Sequence, residues 1–188
     1  DEQRGLVYIG AHAGGLSILH RSNGRMENFN QSNSKLVNEN VYAILPDQDN
    51  NFLLGTLSAL VHFDPEKRNF ITINQENDGT PISFQKITTL FRDSQKRLWV
   101  GSEEGVSVFR QHGTDIQHIS LLPSSATIKA FTNYIYEATN GIIWIGTREG
   151  VYCFNEKDKQ IKRYTTANGL PNNVVYGILE DSYGRLWM

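Results

Sequence analysis

The residues that most often carry out chemistry are spread through this sequence without the spacing that catalysis or metal binding requires. Two metal-binding histidines on one helix face lie a single turn apart, and no two histidines here have that separation. Glycine-rich phosphate loops and the Gly-x-Ser-x-Gly nucleophile motif are also absent. We therefore expect no catalytic residue, no metal site and no cofactor. The five histidines are His12, His20, His62, His112 and His118.

One acidic segment, residues 47–51, begins like a calcium-binding loop. Such a loop needs glycine at its sixth position and a bidentate glutamate at its twelfth. Phe52 and Ser58 occupy those two positions in this chain. We interpret the segment as a turn that links two strands.

Two other acids recur at one place in a repeated pattern. Asp93 lies eight residues before Gly101, and Asp181 occupies the same place in its own copy. Catalysis by carboxyl groups uses an asymmetric pair with different pKa values, and repetition argues against such a pair. Aspartate in a turn can instead accept hydrogen bonds from backbone amides. We predict a structural role for both residues.

The pattern itself is a repeat with a period of about 45 residues, marked by glycines that follow short apolar runs. These glycines are separated by 45, 46 and 45 residues, and a further copy of the run occurs at residues 186–188. Such a period indicates stacked supersecondary units. The marker glycines are Gly10, Gly55, Gly101 and Gly146.

Each repeat contains short runs rich in Val, Ile, Tyr and Phe, separated by Asp, Asn and Gly. In the third repeat the runs are Ile87 to Phe91, Leu98 to Gly101, Val106 to Phe109 and, more weakly, Gln117 to Leu121. No segment sustains the apolar spacing of a helix over several turns. Four short strands with hairpin-length links predict an antiparallel meander.

The second run of each repeat is apolar at consecutive positions, so both of its faces should be buried. Blades of a β-propeller provide this environment, because each sheet is stacked between two others. The tryptophans of these runs are therefore interpreted as blade core. They are Trp99, Trp144 and Trp187.

The expected fold class is all-β, with about four blades' worth of propeller in one domain, residues 1–188. Strand counting places a partial blade at 1–35, complete blades at 36–80, 81–125 and 126–168, and a partial blade at 169–188. The chain would start at the second strand of one blade and stop within the second strand of another. We expect an incomplete arc of a larger propeller; closure as a ring of four blades is the alternative.

Composition excludes several functional classes. A formal charge of −2 predicts neither a nucleic-acid footprint nor a basic membrane-binding face. The longest apolar runs are far shorter than the roughly 20 residues that span a bilayer, and Asp1 to Arg4 do not begin a signal peptide. The single cysteine, Cys153, lies in an apolar run and is interpreted as a small buried hydrophobe.

The segment Asn168 to Trp187 closely resembles the two-component regulator propeller repeat, in which Gly-Leu-Pro, Asn-x-Val, Ile-x-x-Asp and Gly-x-Leu-Trp follow one another. Trp144 to Val151 and Phe63 to Lys67 match the remaining parts of that repeat. The second copy departs from it with Leu53 at the tryptophan position. The fourth copy, residues 131–138, lacks the aspartate and the Gly-Leu-Pro segment.

This resemblance implies a periplasmic sensor region, often with seven-bladed propellers, of a hybrid two-component histidine kinase. In such proteins an oligosaccharide is the usual stimulus, and the response controls transcription of glycan-utilisation genes. The resemblance implies contact with the membrane only through other parts of the protein. We also expect a homodimer, because an open arc exposes blade faces that would otherwise be buried, and the charge predicts no nucleic-acid binding by this segment. It identifies no ligand-binding residues.

Two alternatives to a ligand-binding segment remain. The blades could serve only as a structural or dimerisation segment, with the ligand bound elsewhere. They could also form an enzyme such as a propeller glycosidase or lyase, although no acidic residues break the repeat as a catalytic pair would. Fold alone does not decide among these functions.

Overall fold

The computed structural model of the chain describes residues 1–121 and 128–188. Within these residues the secondary structure consists of β-strands and two short 3₁₀ turns, Gln48–Asn50 and Thr166–Asn168. The strands are β1 (Leu6–Ala11), β2 (Gly15–His20), β3 (Met26–Phe29), β4 (Val41–Pro46), β5 (Phe52–Thr56), β6 (Leu60–Asp64), β7 (Asn69–Ile73), β8 (Ile87–Arg92), β9 (Leu98–Ser102), β10 (Gly105–His112), β11 (Asp115–His118), β12 (Thr132–Glu137), β13 (Ile143–Thr147), β14 (Gly150–Asn155), β15 (Gln160–Tyr164), β16 (Leu179–Glu180) and β17 (Leu186–Trp187).

The strands form five sheets, which we number in chain order. The first sheet contains β1–β3, the second β4–β7, the third β8–β11, the fourth β12–β15 and the fifth β16–β17. Neighbours in each sheet are also neighbours in the chain, and they pair in antiparallel register, as β1 does with β2, β5 with β6 and β13 with β14. The prediction of an all-β fold made of four-stranded antiparallel meanders is confirmed.

The second sheet shows why consecutive apolar residues form a strand here. All five residues of β5 are buried, so neither face of this strand contacts water. Leu54, Val61 and Phe63 pack with residues of the first sheet, such as Leu16 and Phe29. Burial of such side chains supplies about 1.5–3 kcal/mol each, and the strand depends on both of its faces for stability.

The chain divides into two compact units. One contains residues 1–87 and 112–116, and the other contains residues 88–111 and 117–188. Within the second unit, Trp99 and Phe154 pack with Ile135 and Ile145 in one core cluster. A smaller cluster contains Val175 and its neighbours. The blade boundaries stay predictions, and the boundary between residues 125 and 126 lies outside the described residues.

The fourth strand of the third sheet differs from the sequence-based expectation. We predicted it at Gln117 to Leu121, whereas β11 occupies Asp115–His118. The preceding strand β10 extends to His112, and a turn with Gly113 at φ 58° follows immediately. The Ile119 N–H still donates to the Val108 carbonyl, so the apolar residues after β11 keep contact with the sheet.

The marker glycines lie at crowded positions, each close to a residue of the next repeat. A Cβ atom added to Gly101 would lie 2.5 Å from Thr89 Cγ2 and 2.7 Å from Thr132 Cγ2. The corresponding neighbours of Gly10, Gly55 and Gly146 are Val41, Ile87 and Val175. Each of these neighbours belongs to the next repeat, at or just before its first strand. Glycine is therefore required by close approach between sheets rather than by backbone conformation.

None of the helical segments in the two described ranges is long and apolar enough to cross a membrane.

Candidate functional site

The repeated aspartate forms the centre of a buried hydrogen-bonded group in the third sheet. Asp93 Oδ1 accepts the Arg97 backbone N–H at 2.8 Å. Its Oδ2 accepts Arg97 Nε at 2.6 Å and the indole N–H of Trp99 at 2.8 Å. The Asp93 side chain is fully buried, and that of Arg97 is 11% exposed. We call these three residues the Asp93 lock.

The Asp93 lock is connected to the fourth sheet through Arg97. Its Nη1 atom donates to Glu156 Oε1 at 2.8 Å, and Gln95 donates to the other oxygen of the same carboxylate. The bond from Arg97 lowers the pKa of Glu156, although partial burial opposes that shift. The buried charges are therefore paired, which limits the cost of removing them from water.

Asp181 repeats this arrangement at a more exposed position. Its Oδ1 accepts the backbone N–H groups of Tyr183 and Arg185, at 2.9 and 3.0 Å. Its Oδ2 accepts Arg185 Nε at 2.7 Å and the Trp187 indole N–H at 2.9 Å. The bond from Trp187 is the largest cause that lowers the pKa of Asp181, from 3.8 to about 2.

We expect the Asp181 carboxyl to titrate near pH 2, and its pKa to rise toward 3.8 in a Trp187→Phe variant that lacks the indole N–H. Because the folded-state pKa is depressed, the stabilising effect of the carboxylate is complete above about pH 4 and is lost as the pH falls toward about 2. Carboxyl ¹³C NMR across this range measures the shift. Asp64, whose pKa is lowered by bonds from Lys67, is the internal control and should not change. An Asp181 pKa unaffected by Trp187→Phe would contradict this account.

The three predicted core tryptophans differ in burial. Trp99 is fully buried, Trp144 is partly buried, and Trp187 is 58% exposed. The interpretation as blade core therefore needs correction for Trp187. In the described residues its sheet has only two strands, β16 and β17.

Sequence reasoning missed a second repeated contact, in which a glutamate of one sheet binds the turn of the preceding sheet. The Glu137 carboxylate accepts hydrogen bonds from the Ser94 backbone N–H at 2.6 Å and from the Ser94 hydroxyl at 2.7 Å. Glu180 accepts the same two groups of Thr139, both at 2.8 Å. The sequence did contain a signal. In one repeat a glutamate directly precedes the aspartate position, and in the repeat before it a serine or threonine directly follows that position.

A further contact joins the first strand of one sheet to a residue at or just before the first strand of the next. Thr88 Oγ1 donates to the Thr132 carbonyl, and Asn133 Nδ2 donates to the Val175 carbonyl at 3.0 Å. Thr88 and Asn133 are both second residues of their strands, β8 and β12. These bonds and the two glutamate contacts hold the sheets of the second unit in a regular stack.

The fourth repeat breaks the pattern. Ala138 and Ile142 stand where the Asp93 lock has its aspartate and arginine. The indole N–H of Trp144 is buried and has no hydrogen-bond partner. An unpaired buried donor costs about 1–3 kcal/mol.

A pocket of about 160 Å³ lies against this tryptophan. The Trp144 and Tyr164 rings stack with centroids 6.1 Å apart and planes at 28°. The remainder of the largely apolar lining comes from Ile142, Cys153, Asn155, Asp158, Gln160 and Lys162. Burial raises the pKa of the Cys153 thiol.

We call this the Trp144 pocket. Its aromatic faces can hold an apolar ring face, and its amide, carboxylate and ammonium groups can bond to hydroxyls. Such a combination is typical of small-ligand sites. Among residues 1–121 and 128–188, no group of three or more His, Cys, Asp or Glu side chains is placed to hold a metal ion.

The sheets and their repeated contacts define a class, proteins built from β-propeller blades. Two segments, residues 81–104 and 169–188, match the family described as two component regulator propeller. These two segments therefore carry two-component regulator propeller repeats, as the sequence motifs predicted.

Relatives of known sequence and structure agree with this assignment. A protein named histidine kinase P4, from Formosa agariphila, is 25% identical over 171 residues, which are 87% of this chain and 12% of the relative. Two extracellular domains assigned to hybrid two component systems of B. thetaiotaomicron match 98% of this chain. They have TM-scores of 0.76 and 0.79 at 23% and 20% identity. The chain spans 25% of the length of each of these structures.

Proposed function

We propose that this chain is part of the extracytoplasmic, periplasmic sensor region of a hybrid two-component histidine kinase. The observation that carries the proposal is the coincidence of two-component regulator propeller repeats with a fold that matches extracellular sensor domains over 98% of the chain. In this proposal the kinase activity belongs to other parts of the protein, and these blades have no catalytic role.

The proposed stimulus is an oligosaccharide, and the proposed response is control of glycan-utilisation genes. The Trp144 pocket supports this ligand class because stacked rings bind the apolar face of a sugar, and its polar side chains can bond to sugar hydroxyls. Binding would change signalling through a difference in affinity for two states of a homodimer.

One observation favours the alternative, a structural or dimerisation segment without a ligand site. Trp99 occupies the same repeat position as Trp144, and it packs against Phe154 with ring centroids 6.2 Å apart. An aromatic side chain at this position therefore serves core packing in the third sheet. In the alternative, Trp144 has the same role.

Calorimetric titration of the chain with a panel of neutral and acidic oligosaccharides tests the proposal. We expect one member of the panel to bind, and Tyr164→Ala to weaken that binding by about tenfold or more, since it removes half of the stacked pair. Tyr176→Ala is the matched control, because Tyr176 is 76% exposed and lies outside the pocket.

The outcomes separate the candidate functions. Binding that survives Tyr164→Ala places the ligand elsewhere and removes the Trp144 pocket from the proposal. Absence of binding across the panel supports the structural segment. Conversion of any glycan to product supports an enzyme and contradicts the proposed role.

A further inference from the structure

The hairpin formed by β10 and β11 departs from the corresponding hairpins of the other repeats. Strand β10 has eight residues, whereas β2, β6 and β14, at the same repeat position, have five or six. Residues 112–116 of this hairpin belong to the same compact unit as the second sheet. The turn of the hairpin therefore lies beside β7 and the loop that follows β7.

Two hydrogen bonds fix the hairpin to the loop after β7. The Asn77 backbone N–H donates to the Ile116 carbonyl at 3.0 Å, and the Ile116 N–H donates to Asn77 Oδ1 at 2.8 Å. The loop itself is closed by bonds from the Glu76 N–H to the Thr80 carbonyl and from the Thr80 N–H to Asp78 Oδ1. Both segments are thus ordered before a ligand binds, which lowers the entropic cost of binding.

A polar pocket of about 280 Å³ lies between the hairpin and the loop, and we call it the hairpin pocket. Its volume is close to the lower end of the range of about 300–1,000 Å³ for small-ligand sites. Of the eight described residues that line it, seven carry amide, hydroxyl or carboxylate groups, and none is Lys, Arg or His. The pocket is therefore polar and has no positive side chain in its wall.

Most of the polar side chains of the hairpin pocket are not bonded to other parts of the chain. In other turns such groups accept bonds from nearby backbone amides, as Asn30, Asp64 and Asn140 do. Within residues 1–121 and 128–188, by contrast, five side chains of the pocket make no hydrogen bond or ion pair. They are Thr72, Asn74, Gln75, Thr114 and Asp115. The pocket therefore offers several donors and acceptors to a bound molecule.

This combination of groups matches a sugar ring. A sugar hydroxyl both donates and accepts, and amide and hydroxyl side chains complement it in both roles. The carboxylate of Asp115 can accept from a further hydroxyl. An acidic sugar would instead bring its negative charge beside Glu76 and Asp115, with no cation in the lining to compensate it. Charge therefore favours an uncharged sugar.

We propose that the hairpin pocket binds one uncharged sugar unit, as a subsite in addition to the Trp144 pocket. This inference rests on the proposed oligosaccharide stimulus and deepens it by giving the ligand a charge preference. All of the lining belongs to one compact unit, residues 1–87 and 112–116, so the subsite is complete within that unit.

Matched methyl glycosides test the site, namely those of glucose, galactose and mannose and the uronic acid counterpart of each. Each pair differs only in oxidation of C6 to a carboxylate. Titration of the ¹⁵N-labelled chain, followed by NMR, gives both affinity and location. We expect at least one neutral glycoside to bind in the millimolar range or more tightly and to shift the amides of residues 72–77 and 114–115. Its uronic acid counterpart should bind at least about tenfold more weakly.

Reversal of one charge tests the preference. Asp115→Lys should strengthen binding of the uronic acid by about tenfold or more, since an ammonium group replaces a repelling carboxylate. Glu103→Lys is the matched control, because it makes the same charge change at an exposed turn residue outside the pocket. It should leave both affinities unchanged. Circular dichroism of the two variants confirms that they fold.

The proposal is overturned if no neutral glycoside shifts the amides of residues 72–77, or if the uronic acids bind equally well. A charge preference that Asp115→Lys leaves unchanged would also overturn it. An oligosaccharide that binds the chain, requires Tyr164 and leaves these amides unshifted would overturn this inference alone and leave the proposed function standing. Absence of binding by glycosides and oligosaccharides alike would contradict both.

Discussion

Replacing Asp93 by alanine is expected to lower the free energy of unfolding by about 3–5 kcal/mol. The substitution leaves the Arg97 guanidinium with one carboxylate partner, Glu156. The Arg97 side chain is only 11% exposed, so water cannot fully replace the lost partner. It also leaves the indole N–H of a fully buried Trp99 without an acceptor. Urea denaturation followed by circular dichroism measures the change.

Asp181→Ala is the matched control for Asp93→Ala, since Asp181 bonds to the same kinds of group in the same order. Its partners Arg185 and Trp187 are largely exposed, so water replaces the lost bonds. We expect a much smaller loss of stability than for Asp93→Ala. Equal losses from the two substitutions would show that burial does not determine the strength of this repeated group.

Gly101→Ala is expected to lower the free energy of unfolding by about 1–3 kcal/mol, the usual cost of overpacking a core. The added methyl group would lie less than 3 Å from two threonine methyl groups, of Thr89 and Thr132. Both threonines are β-branched and have little rotamer freedom, so β9 must move away from Thr89 in its own sheet and from Thr132 in the next sheet.

Gly177→Ala provides the control for Gly101→Ala, because no atom lies within 4 Å of a Cβ at that position. Its backbone has no positive φ angle, so alanine introduces no conformational strain. We expect no loss of stability at Gly177. A tolerated Gly101→Ala would mean that the sheets are not held at the separation described above. The melting temperature of each variant by differential scanning calorimetry is an independent measurement.

Much of the fold could be predicted because the same residues of each repeat both form a strand and pack against the neighbouring sheets. The apolar run at Leu98 to Gly101 predicted a strand buried on both faces, and β9 has that environment. The glycine at its end marked the repeat, and in the structure Thr89 and Thr132 crowd that position. Repetition made these features visible, because independent copies show the same residue types at the same spacing.

The remaining features depend on neighbours that a one-dimensional pattern does not show. The glutamate contacts join residues more than forty positions apart, Ser94 with Glu137 and Thr139 with Glu180. The Trp144 pocket arises from a departure from the repeat, and its lining comes from three strands, β13 to β15, and the turns beside them. Strand β11 lay two residues before its expected start, because the length of β10 and the Gly113 turn, rather than apolar content, determine where it begins.

Cys153 can serve as a native probe of the Trp144 pocket because of its position. It is the only sulfhydryl in the chain, and it lies in the wall of the Trp144 pocket. Since burial raises its pKa, its reaction with alkylating reagents is slow at neutral pH and depends on access through the pocket. The rate of thiol labelling therefore monitors occupancy of that cavity without an introduced probe, whichever compound or polypeptide covers it.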